Sequence, residues 1–373
     1  MDFEASLQRI KDQGLYRELT SFNKVDQATI RTETDTYINF TSNDYLGLGQ
    51  CSRATDMDAT LKDVGMHYAS SRLVSGNTYL YEAIEHDMSA IFQFKHSLIT
   101  TSGYAANLAA FSIFRNEPHV MVFSDEKNHA SIIDGIKLNR LETVVYPHLD
   151  YNTLEDELAK YPHTTKIIVS DSIFSTNGDM VDIDQLKHLK DNYQDTYIIL
   201  DDAHGLGLNM FQSYDAVDIL TSSLSKALGA FGGLIMTRDT MMHDLIINKG
   251  RSFIYSGCLP NYNLIQLRHL LDIYQSETYR QSDLKALSSY FNRQYAALFK
   301  AEPFTLAPIK AIPVNDIENG FKVHAYLKAH GFLTSFFRYP TVETPMIRLS
   351  LTSMHTKSDI DNFLTTLSNF EER

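Results

Sequence analysis

Three short stretches of this sequence place reactive side chains directly behind apolar runs. In Thr221-Ser222-Ser223-Leu224-Ser225-Lys226-Ala227-Leu228-Gly229 a lysine stands among small residues, just past a β-type run and before a glycine turn. Confinement there strips water from the ammonium and lowers its pKa from about 10.4, which makes the amine a nucleophile able to form a Schiff base. Leu200-Asp201-Asp202-Ala203-His204-Gly205 ends a second run with a carboxylate that, if buried, needs a cationic partner. A pyridinium nitrogen is one such partner, and a ring protonated there withdraws electrons from a carbanion attached to it. Ser170-Asp171-Ser172-Ile173-Phe174-Ser175 carries the Ser175 hydroxyl behind a third run.

Two further stretches supply what a phosphorylated aromatic aldehyde needs. Thr100-Thr101-Ser102-Gly103-Tyr104-Ala105-Ala106-Asn107 reads as a strand end turning into an alanine-rich helix. The free amides of Gly103 and Tyr104 and the hydroxyl of Ser102 can hold a phosphate there without a net positive charge. His129, in Lys127-Asn128-His129-Ala130-Ser131, follows another run and can lie against a planar ring. In chain order these are glycine turn, histidine, aspartate and lysine, and together they point to pyridoxal 5'-phosphate held on Lys226. Each has a plainer reading alone: a solvated lysine, a capping aspartate or serine, a structural histidine. Asp201, Asp202 and His204 also suit a metal-dependent hydrolase, and a non-catalytic binding protein can retain such a fold.

The elements that must position these groups follow from the pattern around them. Short apolar runs at Ser97–Thr101, Val120–Phe123, Thr143–Tyr146, Lys166–Ser170, Tyr197–Leu200, Ile219–Ser222 and Gly233–Thr237 alternate with helical stretches. Their unbroken apolar character predicts a mainly parallel seven-stranded sheet covered by helices on both faces, an α/β fold whose ligands collect at the carboxyl ends of the strands. A helical stretch over Asn261–Phe299 leads into a β-α-β-β-α pattern: Ile309–Val314, Glu318–His330, Leu333–Arg338, Met346–Leu351 and Ser358–Phe370. The predicted division is an N-terminal helix and arm over 1–45, a large α/β domain over 46–275 and a small α+β domain over 276–373. Phe3, Leu7 and Ile10 give the first helix one apolar stripe, ending near Gly14, that should pack on the main body or on a second subunit.

Composition narrows the partners. The 373 residues exceed one ordinary core, and 43% hydrophobic with 21% charged residues describes a soluble globular chain. A net charge of -13 with no basic cluster argues against nucleic acid. Cys51 and Cys258 are far apart and suit a reducing cytoplasm, with no cysteine metal site. The acidic start Met1-Asp2-Phe3-Glu4 lacks signal-peptide character, and no apolar run approaches the roughly 18 residues of a membrane span.

The whole chain resembles the α-oxoamine synthases, fold-type I pyridoxal phosphate enzymes that join an amino acid to an acyl thioester with loss of carbon dioxide. The resemblance lies in Asn39–Leu48 (NFTSNDYLGL), Ser71–Asn77 (SRLVSGN), the Ser102-Gly103-Tyr104 turn, Asn128–Ser131 (NHAS), Asp201–Gly205 (DDAHG), Ser225-Lys226 and Ile347–Thr352 (IRLSLT). It implies that Lys226 bonds the cofactor and carries the α-proton, that Asp201 pairs with the ring nitrogen, and that His204 and Ser175 meet the ring's O3'. His129 would stack on the ring. Gly103, Tyr104 and Ser223, with Ser102, would contact the phosphate, and Ser256 the phosphate of a neighbouring subunit in a homodimer. Arg348 would clamp the substrate carboxylate near Asn43, with Arg17 or Tyr16 and Thr341 toward the acyl chain. Among family members the Ser71–Asn77 string and compact length are most similar to those using L-alanine and a pimeloyl thioester carried on CoA or acyl carrier protein. Glycine with an acetyl thioester, or a longer acyl chain, is the nearest alternative. The chain departs from the family at Met66-His67-Tyr68-Ala69-Ser70, in place of a glycine-rich run, and at Tyr81, in place of a histidine, both expected near the acyl entrance.

Overall fold

The computed structural model describes residues 2–22, 24–26, 28–51 and 61–371. In chain order the strands are β1 Lys24–Asp26, β2 Thr29–Arg31, β3 Thr36–Asn39, β4 His96–Thr100, β5 Val120–Asp125, β6 Glu142–Tyr146 and β7 Thr165–Asp171. They continue as β8 Thr196–Asp201, β9 Ile219–Ser223, β10 Gly233–Thr237, β11 Ile309–Pro313, β12 Phe332–Leu333, β13 Ser335–Phe337 and β14 Met346–Ser350. The central sheet has seven strands in the order β4-β10-β9-β8-β7-β5-β6. Every pair among β5 to β9 is parallel, and only β10 runs against its neighbours β4 and β9.

Alternate residues of the same strands enter two separate cores, which is why the sequence shows continuous apolar runs. Val122, Ile167, Val169, Ile199 and Ile235 pack with Ala106, Phe111, Ile132 and Ile136 on one face. Phe123, Ile168, Ile198 and Leu200 pack with Leu154, Leu158, Leu186 and Leu189 on the other. Each such side chain contributes about 1.5–3 kcal/mol on burial, so neither face tolerates a polar residue cheaply. The edge strand β6 is the exception, with Glu142, Thr143 and Val145 exposed.

The remaining strands form two small sheets. β11, β14 and β13 make an antiparallel three-stranded sheet, and β1, β2, β3 and β12 make the other, with β12 parallel to β3. The single run expected over Leu333–Arg338 is therefore split between two sheets. The N-terminal segment is tied by β3 to the C-terminal part of the chain. The Asn261–Phe299 stretch is two helices, Asn261–Ser276 and Tyr279–Phe299. The first helix, Phe3–Asp12, is capped by Asp2, whose side chain accepts from the Ala5 N–H at 3.0 Å. Within this single chain its stripe is uncovered: Phe3 is 75% exposed, Leu7 45% and Ile10 42%. Among the described residues no helix is long and apolar enough to cross a membrane.

Candidate active site at the carboxyl ends of the central sheet

The ends of β7, β8 and β9 bring the reactive groups side by side. Asp171 and Asp201 are register partners on neighbouring parallel strands, and both are buried. Asp201 accepts from Asn107 Nδ2 at 2.6 Å through Oδ2 and from the Ala203 N–H at 3.0 Å through Oδ1. Asn107 is fixed in turn, donating to Ser131 Oγ at 2.8 Å and accepting from Thr221 Oγ1 at 2.6 Å. Asp171 accepts from the His129 backbone N–H at 2.8 Å. Burial, and then the charge of Asp201, hold the Asp171 carboxyl well above the usual carboxylate range. Asp201 has the more complete set of donors.

Lys226 lies in the turn that joins β9 to β10. The turn is closed by Gly229 N–H to Lys226 O at 3.0 Å and Ala230 N–H to Leu224 O at 2.9 Å. Gly229 has φ +64°, and a Cβ there would stand 2.2 Å from Gly49 N, so this position needs glycine on both counts. Burial pushes the Lys226 amine down to about 8, against the raising pull of Asp201 and Asp171 and with a further lowering push from Arg348. A useful fraction of the amine is therefore unprotonated near neutral pH, as the sequence implied.

The two histidines and the arginine surround this lysine. His129 caps the Ala130–Leu138 helix, with Nδ1 2.7 Å from Ser131 Oγ. Burial lowers its pKa, opposed by Asp201 and assisted by Lys226. His204 is buried with Nδ1 2.6 Å from the Tyr45 hydroxyl. Burial, followed by the charges of Lys226, Arg348 and His129, keeps it well below its ordinary range and hence neutral. Arg348, on β14, donates from Nε to the Ser175 carbonyl at 2.9 Å, from Nη1 to Ser350 Oγ at 2.8 Å and from Nη2 to Asn43 Oδ1 at 3.2 Å. The three-stranded sheet thus delivers one cation to the edge of the central one.

The start of the Gly103–Ala110 helix closes the other side. Ser102 caps the Gly103–Ala110 helix by accepting from the Ala105 N–H at 3.1 Å. A Cβ on Gly103 would stand 3.1 Å from Ser223 Cβ and 3.2 Å from Ser222 O, so helix start and strand end meet here without a side chain between them. Ser223 Oγ is 2.9 Å from Ser225 Oγ. The Tyr104 side chain turns outward to Asp134. This position therefore offers its backbone amide and not its ring. Ser256 donates to Ser252 O at 2.6 Å, and Ser252 reaches Ala105 O at 2.7 Å, so Ser256 lies against the same helix. Aldehyde-reactive amine, buried carboxylate and amide cradle fit pyridoxal phosphate together.

Other expectations fare differently. Arg17 and Thr341 are exposed, apart from the buried cluster. Tyr81 is 1% exposed, its hydroxyl accepts from the Leu259 N–H at 2.6 Å, and the Arg72 guanidinium sits 4.0 Å from its ring centre. Arg72 is itself consumed by Glu85, Asn77 and the Ile99 carbonyl. As metal ligands, Asp201, Asp202 and His204 do not converge. Asp202 faces Ser172 and the Tyr214 hydroxyl while the other two take the partners above. Sequence reasoning gave no role to Asn107, Asp171 or Tyr45. The only available signal was that Asp171, like Asp201, ends an apolar run.

Comparison with known proteins agrees with this geometry. Residues 35–367 match the model of the family "Aminotransferase class I and II". A Methanococcus vannielii protein, provisionally named 8-amino-7-oxononanoate synthase, is 36% identical over 375 residues, spanning 95% of this chain and 94% of its own. A Thermodesulfovibrio yellowstonii protein of the same provisional name is 33% identical over 374 residues, spanning 96% and 95%. The crystal structure of 8-amino-7-oxononanoate synthase from Francisella tularensis superposes with TM-score 0.78 at 27% identity, covering 90% of this chain and 98% of that one. In fold, Sphingomonas wittichii serine palmitoyltransferase is also similar, with TM-score 0.87 at 18% identity over 99% and 96% of the two chains. A family model over most of the length and relatives above 30% identity across it make this chain a member of the aminotransferase class I and II family and, within it, of the α-oxoamine synthases, enzymes that work with pyridoxal phosphate.

Proposed function

We propose that this chain condenses L-alanine with a pimeloyl thioester, with loss of carbon dioxide, to give 8-amino-7-oxononanoate. The observation that carries the choice of substrates is the near full-length similarity to relatives provisionally named for that activity. When bound, pyridoxal phosphate supplies the electron sink that makes an α-carbon acidic. Lys226 would hold the cofactor and move the proton at the α-carbon, for which an amine near pKa 8 suits both directions of transfer. Asp201 would face the ring nitrogen, and His204 with Ser175 the ring oxygen. His129 would lie against the ring. The Gly103 and Tyr104 amides with the Ser102 and Ser223 hydroxyls would take the phosphate.

Arg348, beside Asn43, would bind the amino acid's carboxylate and so orient the α-hydrogen toward Lys226. Arg17 and Thr341 would act only at the outer, acyl end. Ser256 would reach the phosphate of a neighbouring subunit in a homodimer, and the free Cys51 and Cys258 favour a reducing cytoplasm. Product formation from a pimeloyl thioester should favour alanine over glycine and serine by about tenfold or more, the scale of one methyl group in a fitted pocket. If alanine were the poorest donor of the three, the proposed substrates would be wrong.

A further inference from the structure

We propose that Tyr45 is a positioning residue that joins Arg348 to His204 and keeps the proton of His204 on Nε2. Tyr45 is fully buried, with its hydroxyl 2.6 Å from His204 Nδ1 and 3.3 Å from Asn43 Oδ1. The hydroxyl has one proton to give. Asn43 Oδ1 already accepts from Arg348 Nη2 and from Ser350 Oγ, each at 3.2 Å, so the shorter bond to His204 takes it. Burial pushes the Tyr45 hydroxyl up to about 12, which keeps it a donor. His204, facing Tyr45 and the charges of Lys226, Arg348 and His129, is neutral and has one donor and one acceptor nitrogen. With Nδ1 accepting, Nε2 carries the hydrogen and is the donor available to an anionic oxygen.

The loop cannot easily swing away. Ser42 Oγ accepts from the Asp44 N–H at 3.1 Å, Asp44 Oδ2 from the Gly49 N–H at 3.1 Å, and Arg280 Nη1 donates to Leu46 O at 2.8 Å. A carboxylate that engages Arg348 is therefore felt at His204 through Tyr45, whose hydroxyl feels the Arg348 guanidinium directly. This inference rests on the reading that Arg348 serves the substrate and His204 the cofactor.

The test is a spectrophotometric pH titration of the cofactor's visible band in the holoenzyme, with L-alanine affinity read from the same band. In Tyr45→Phe the midpoint should rise by about one pH unit and alanine binding weaken by about fivefold, the scale of one buried hydrogen bond. A purely structural tyrosine would lower the melting temperature and leave both unchanged, and that result overturns the inference. If Tyr45→Phe does not fold, 3-fluorotyrosine at position 45 puts a stronger donor in the same place. The midpoint should then move down, and an unmoved midpoint overturns the idea equally. Absence of any visible band in the wild-type protein would instead remove the underlying site assignment.

Discussion

Lys226 and Lys310 are both taken out of water, and the contrast between their surroundings separates reactive burial from structural burial. Lys226, at the carboxyl end of the central sheet, faces the acidic side chains of Asp201, Asp171 and Asp202, and an arginine. Lys310, in β11 of the three-stranded sheet, is wholly buried and donates to Ser288 Oγ at 2.8 Å and Thr305 O at 2.7 Å. Burial alone pushes Lys310 down to about 7, lower than the value of about 8 at Lys226. A depressed amine is thus no mark of chemistry by itself. What distinguishes Lys226 is a ring of charged groups on other strands, opposite the start of the Gly103–Ala110 helix.

The largest effect that would break this contrast is in turnover. Lys226→Ala should lower product formation by about a thousandfold or more, whereas Lys310→Met should leave it within a few-fold of wild type. Equal losses in steady-state assays would erase the distinction. Next, Arg348→Met should raise the KM for the amino acid by about 10- to 100-fold, the worth of a charge-assisted pair, with a smaller change for the thioester.

Stability sharpens the other half. Lys310 has a folded pKa depressed from an unfolded value of about 10.4, so between about pH 7 and 10 the unfolded chain binds more protons. Its burial therefore costs most at or below pH 7, and stability rises with pH through that window. In Lys310→Met, denaturant titrations should show a slope against pH that is flatter by up to about 1.4 kcal/mol per unit. The smallest effect is expected at Tyr81, where Tyr81→Phe leaves the Leu259 N–H unpaired and should cost about 1–2 kcal/mol in chemical unfolding with little change in KM.

Legibility followed the same divide. Apart from edge strand β6, the central strands were readable because both faces are buried, so that a strand such as β10 is buried along its whole length. Lys226, Asp201, His204 and Ser175 stood out because polar residues directly behind such runs contrast with them. The small sheets gave weaker signals. β12 is two residues and β13 three, too short for periodicity to show that they belong to different sheets. The apolar stripe of the first helix was visible, but among the described residues nothing covers it. At Tyr81, where the chain departs from the family pattern, the ring packs under Arg72 and the hydroxyl accepts from the Leu259 N–H.

Residue types and their place behind the strands were enough to establish the fold class and the cofactor, because backbone pairing and burial act over a few neighbours in sequence. Asp171 against Asp201, Asn107 donating to Asp201, and Tyr45 between Arg348 and His204 were decided only by tertiary structure. Asn107 and Asp201 are 94 positions apart in the chain and Tyr45 and His204 are 159 apart. No local pattern encodes such distances. Only the strand order and the crossing of the C-terminal sheet bring the partners within hydrogen-bonding reach.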